Sequence, residues 1–175
     1  MKQFILIFSL LLIPVFCFAG ENDFADISSI TVPVPQIDYI GNYINLKDAI
    51  DTISSIQTTL MINTAQVLDD GERLTVPATI TLWFTGNGSI DGVAGGNIET
   101  ITINGPIDAG PVQIFGSNLT VTIGNSVKEV FPQWWGAEND GTDASGTTAA
   151  LQACLDTLKP CTLIPGTYLH NKITF

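Results

Sequence analysis

The sequence predicts a mainly β chain wound as a right-handed parallel β-helix, a solenoid of about 20-residue rungs with short capping or inserted helices. Three observations predict it. One strand phrase keeps returning: Thr59–Ile62 reads TLMI, Thr79–Leu82 TITL, Thr100–Ile103 TITI and Thr120–Ile123 TVTI. From Thr59 to Val130 apolar residues alternate with Thr, Asn and Gln in short runs, separated by turn clusters such as Asp69-Asp70-Gly71, Gly86-Asn87-Gly88 and Gly95-Gly96-Asn97. The composition, 45% hydrophobic and 13% charged, is that of a packed chain rather than a disordered one. A β-sandwich also has short strands and turns, but it does not require one phrase to recur at fixed spacing. In a solenoid Ile62, Leu82, Ile103 and Ile123 are expected in one inward column, with the threonines between them facing solvent. Right-handedness follows from the near-universal hand of parallel crossovers.

Residues 1–19 read as a secretory signal peptide. Lys2 supplies the positive start, Phe4–Phe16 the apolar stretch, and Cys17-Phe18-Ala19 small residues at the −3 and −1 positions of a cleavage site. The apolar run is shorter than the roughly 20 residues that span a bilayer, and bulky Phe16 does not fit a lipobox before Cys17. The expected product is exported, to the extracellular space, the cell surface or the periplasm, with no membrane span after cleavage.

Cleavage removes Lys2, one of six basic residues, and none of the 17 acidic ones, leaving a net charge near −12. Nucleic acid is excluded as a partner, because phosphate binding needs clustered Lys and Arg. The same charge opposes simple capture of an acidic polysaccharide.

The elements follow in order. Residues 20–45, with Pro33, Pro35 and Gly41, read as an irregular arm. Leu46, Ala49, Ile50 and Ile53 have helical spacing behind Asn45, a candidate N-cap, so Leu46–Ser55 is expected to be a short amphipathic helix. Leading rungs fill the rest of 46–130, and a second helix is expected over 147–158, in TTAALQACLDTL. The mature chain keeps two cysteines, Cys154 and Cys161, in a compartment where disulfides persist. They either form a bridge, or Cys154 is simply one member of the buried helix face Leu151, Cys154, Leu155, Leu158.

The run WWGAENDGTDASGTTAALQACLDTL (134–158), ending in CTLIPGTY (161–168), resembles the start of the pectate-lyase-like β-helix domain also found in rhamnogalacturonases and phage tailspikes. The family pattern is met at Gly136-Ala137, Asp140-Gly141, Asp143, Thr148–Leu155 and Pro165–Tyr168. Ala144-Ser145-Gly146 departs from it by lengthening the loop before the helix. GPIDAGPVQIF (105–115) looks like the leading rungs that precede this motif in bacterial relatives. The resemblance implies that residues 131–175 open the main domain and that further rungs follow Phe175. It also implies a polysaccharide ligand, with calcium as a cofactor that only the resemblance suggests.

Every candidate site residue has a plainer role to set beside the functional one. Asp140 and Asp143 are calcium ligands or, more simply, turn and helix-start residues. Trp83, Trp134 and Trp135 are sugar platforms or core aromatics. His170 lacks a local carboxylate or nucleophile partner for general-base work. Asp69 with Asp70, or Asp91 with Asp108, suit a glycosidase only if one groove gathers them. No catalytic residue is assigned, since relatives carry theirs on rungs well after PGTY. Two functions remain: an exported lyase or glycoside hydrolase whose catalytic rungs lie beyond this segment, or a non-catalytic cell-surface or fibre-like module for binding or spacing. A tailspike is disfavoured by the signal peptide. The present segment alone is expected to be inactive.

Overall fold

The computed structural model describes residues 36–174. The expected leader 1–19, the arm as far as Pro35, and Phe175 lie outside the described residues.

Nine strands are present in that segment: β1 (Gln36–Tyr39), β2 (Thr58–Ile62), β3 (Ala65–Val67), β4 (Arg73–Val76), β5 (Ile80–Phe84), β6 (Ser89–Asp91), β7 (Glu99–Ile103), β8 (Ile107–Asp108) and β9 (Leu119–Ile123). They form three sheets, ordered β1-β2-β5-β8, β3-β6 and β4-β7-β9. Every one of these pairings is parallel. From β2 onward the chain visits the three sheets in a repeating order. β2, β3 and β4 each lie in a different sheet, β5, β6 and β7 return to them in turn, and β8 begins a third pass. Phe115 continues that pass by bridging to Ile90 of β6, and β9 completes it. Tight turns make this winding possible. At Gly88 a Cβ would sit 1.9 Å from the Ile62 carbonyl oxygen, so the turn after β5 can approach the preceding one only without a side chain.

Alternation along each strand fills the interior. Leu60, Ile62, Leu82, Phe84, Ile101 and Ile103 are buried, while Thr59, Met61, Thr100 and Thr102 are half-exposed. Each buried Leu or Ile contributes about 1.5–3 kcal/mol relative to its exposed state.

The single column expected from the recurring phrase is replaced by two. Leu60 lies beside Leu82 and Ile62 beside Phe84 in the first sheet, whereas Val76, Ile103 and Ile123 are neighbours in the third. Thr58 pairs with Ile80, 22 positions on; Arg73 with Thr100, 27 on; and Glu99 with Leu119, 20 on. The phrase recurs because strands of both sheets have one face inside and one face wet. The return distance varies because loops such as Gly92–Ile98 absorb the difference.

The arm is also corrected at its end. Gln36–Tyr39 is a strand, and its hydrogen-bonding neighbour is β2. Its residues are mostly exposed, Ile37 at 53%, so no inward apolar face marked it in the sequence.

Helix α1 spans Leu46–Ile53, with Asn45 Oδ1 accepting from the Asp48 amide at 2.8 Å. Its buried face, Leu46, Ala49, Ile50 and Ile53, joins the strand core. Helix α2 spans Ala144–Asp156, three residues ahead of the expected start. Asp143 caps it, accepting from the Ser145 and Gly146 amides at 2.9 and 3.0 Å. Ala144-Ser145-Gly146 is therefore the first helical turn rather than a longer loop. After α2 the chain runs back alongside earlier segments, with parallel bridges Val130–Cys161 and Asp140–Thr167.

Candidate functional site

The expected site residues are scattered, and most of them serve structure. Asn139 Nδ2 donates to the Pro165 carbonyl at 2.9 Å, and the Thr167 amide donates to the Asn139 carbonyl at 2.7 Å. The NDGTD and PGTY segments are thus stitched to each other. Asp140 makes an Asx turn, accepting from the Thr142 amide and hydroxyl at 2.9 and 2.7 Å. Those bonds, the hydroxyl first, hold its pKa below the ordinary aspartate value. Asp143 caps α2, and Asp140 Oδ1 closes its own turn. Among the described residues, no three His, Cys, Asp or Glu side chains are gathered as a metal cluster.

Trp134 is core. It is 2% exposed, its indole N–H donates to the Gly110 carbonyl at 3.0 Å, and its ring packs edge-on against Phe115 and Phe131. Of the two roles open to it, sugar platform or core aromatic, its burial fits the second. Trp135 is half-buried and tilted against Phe115 at 5.3 Å. Trp83 is half-exposed on β5 beside Asp108 of β8. His170 is exposed, its Nδ1 2.7 Å from the Asn171 carbonyl. Asp91 ends β6 in one sheet and Asp108 ends β8 in another, while Asp70 accepts from the Asn97 amide at 2.6 Å. Cys154 and Cys161 are joined as a disulfide, with Cys154 fully buried on α2.

The residues that do line a recess are mostly ones the sequence did not single out. A cavity of about 360 Å³ opens over Asn87, Ser89, Asp91, Gln113 and Phe115. A second, of about 370 Å³, opens over Gln113, Gln133, Glu138, Asn139 and Asp140. Val112 and Gln113 line both, so the two recesses adjoin across a shared wall and together make up the trough. Its walls are amides and carboxylates, with an aromatic edge from Phe115.

Gln133 gives the trough its most specific feature. Tyr168 donates its hydroxyl proton to the Ile164 carbonyl at 3.1 Å and accepts from Gln133 Nε2, 2.6 Å away. In that arrangement Oε1 is left as a lone acceptor. Gln133 is 6% exposed and its Oε1 has no partner among the described residues. Leaving such an acceptor unsatisfied costs about 1–3 kcal/mol, so the site favours a donor. A polar residue set between Phe131-Pro132 and Trp134-Trp135 was the available sequence signal.

No helix among the described residues is long and apolar enough to cross a membrane. No family model matches the chain, and neither a curated protein nor a solved structure gives a significant match.

Proposed function

We propose that this chain is the leading part of an exported right-handed parallel β-helix protein of the pectate-lyase-like kind, and that its trough binds a neutral polysaccharide without cleaving it. The exposed amide of Gln113 carries the proposal: it lines both recesses, and with Nε2 donating to the Phe115 carbonyl its Oε1 is left to accept from a sugar hydroxyl. Three further observations support the reading. All the ladders are parallel and the chain passes through three sheets in repeating order. The NDGTD and PGTY segments that carry the family resemblance are bonded to one another. The trough offers the side-chain amides of Asn87, Gln113 and Asn139, which can both donate to and accept from hydroxyls.

A neutral rather than acidic glycan follows from charge. Asp91, Glu138 and Asp140 line the trough, and the chain carries a net charge of −11. The test is affinity electrophoresis of the mature chain in gels containing neutral glucans, galactans, mannans or polygalacturonate. Retardation by a neutral glycan, weakened at least tenfold in Gln133→Ala and Gln113→Ala variants of unchanged Tm, is expected. Retardation by polygalacturonate alone, or equal retardation of wild type and both variants, overturns the proposal. Release of reducing ends would show that binding is accompanied by cleavage and overturn its non-catalytic part.

A further inference from the structure

We propose that the turns leading into the third sheet hold a hard cation of the calcium class between Glu72 and Glu99. The site is separate from the trough, and its argument does not rest on the glycan reading.

Glu99 opens β7 and is 0% exposed. One carboxylate oxygen, Oε1, accepts a long bond from the Gly71 amide at 3.3 Å; the other, Oε2, is buried with no partner. Glu72 immediately precedes β4, and its carbonyl accepts from the Thr100 amide at 2.9 Å, which places it beside Glu99 in the ladder. Neighbouring parallel strands are about 4.8 Å apart. Glu72 Oε2 accepts from the Asp69 amide at 3.0 Å, and its Oε1 is likewise buried without a partner. Two adjacent glutamates thus each bury an oxygen that no other described residue satisfies.

The surroundings supply more acceptors. A Cβ placed on Gly92 would lie 2.0 Å from Glu99 Oε2 and 2.3 Å from the Asn118 carbonyl oxygen. Both oxygens therefore crowd the same bare backbone, and an ionised Glu99 has no proton to give the Asn118 carbonyl. Asp91, next in the chain, accepts from the Gly92 and Asn118 amides and consumes the local donors. Lys47 is close enough to Glu72 for their charges to interact, but among the described residues no cation forms an ion pair with Glu72 or Glu99. Arg73 is exposed, on the strand face opposite to buried Leu74, and the one ion pair among the described residues is Lys47–Asp51.

Ionised carboxylates inside a protein need a counter-charge. Two carboxylates and a main-chain oxygen, without Cys or His, suit an oxygen-seeking ion such as Ca²⁺, which accepts irregular geometry and completes its shell with water.

The mature chain, stripped with EDTA and exchanged into buffered KCl, would be titrated with CaCl₂ by calorimetry and followed by thermal melting. Saturable binding of one Ca²⁺ per chain is expected, with a Tm rise of several degrees at 100-fold excess over Kd that KCl of equal ionic strength does not reproduce. Glu99→Gln should weaken binding at least tenfold and melt in EDTA no lower than wild type, because its amide can donate to the Asn118 carbonyl. Glu72→Gln provides a second reading if Glu99→Gln fails to fold, and Asp140→Asn should leave the Ca²⁺ response intact. Absence of saturable binding at millimolar Ca²⁺, or an unchanged response in both glutamine variants, overturns the site.

Discussion

Leu60 and Leu82 lie side by side in the β2–β5 ladder, each with no exposed surface. Both sit at the centre of strands whose burial alternates in and out along five residues. Truncating Leu82 to alanine removes a packed side chain from between two passes of the chain, neither of which can close the gap without shifting a ladder. Leu82→Ala should lower unfolding stability by about 3 kcal/mol. Thr81→Ala, one residue away on the half-exposed face, should change it by less than about 0.5 kcal/mol. Urea unfolding with unchanged m-value is the measurement, and equal losses at the two positions would contradict the inside–outside assignment.

The inward set was legible because period-2 alternation needs only the sequence, and Asn45 was legible as a cap because its side chain acts locally on Asp48. Which strands are neighbours was not. The TITL and TITI phrases are alike since each strand meets the same two environments, yet Leu82 belongs to one sheet and Ile103 to another. Local patterning reports burial; it does not report which strand lies 20 or 27 residues away in the ladder. β1 escaped notice for the opposite reason, because its pairing with β2 is carried by backbone groups and its side chains are largely wet. The site was least visible. Gln133 matters only through its bond to Tyr168, 35 residues on, and Glu99 only because Gly92 and Asn118 press against it.

Asp143 should contribute to α2 as a cap and not as a metal ligand. Its Oδ1 satisfies two first-turn amides, with Oδ2 3.1 Å from the Gly146 amide. Asp143→Ala should cost about 1 kcal/mol and Asp143→Asn only a few tenths. Urea midpoints of the two variants check this, and equal losses would argue against a capping role.

Removing the disulfide should loosen the junction between α2 and the Val130–Cys161 bridge. The closed loop is short, a separation of seven residues, so chain entropy predicts a loss of about 2.5 kcal/mol. A Cys154→Ala/Cys161→Ala double variant tests it, since alanine leaves no unsatisfied hydroxyl at fully buried position 154. Hydrogen exchange should accelerate first in residues 150–162. A uniform rise across the strands instead would mean that the bridge stabilises all three sheets.

Tyr43 and Asp38 should give stability a broad plateau with two shoulders. The Tyr43 hydroxyl donates to Asp38 Oδ2 at 2.5 Å, and Asn42 Nδ2 and the Tyr39 amide donate to Oδ1 at 2.8 and 2.9 Å. The Tyr43 bond is the main reason that the Asp38 pKa lies below its ordinary 3.8, and the same bond pushes the phenol up to about 12. The favourable pair is ionised Asp38 with protonated Tyr43. The depressed carboxylate contributes stability that is complete above the unfolded aspartate pKa near 3.8 and is lost as pH falls through the lower folded value. The raised phenol contributes stability that is complete below the unfolded tyrosine pKa near 10 and is lost as pH rises toward about 12. Both groups remain in contact with water, so the pair is worth about 1 kcal/mol between those limits. The difference in urea midpoint between wild type and Tyr43→Phe should therefore be constant from pH 5 to 9 and shrink between pH 10 and 12, while phenolate absorbance shows one tyrosine titrating late. A difference that stays constant through pH 11.5 would mean that the hydroxyl does not hold Asp38.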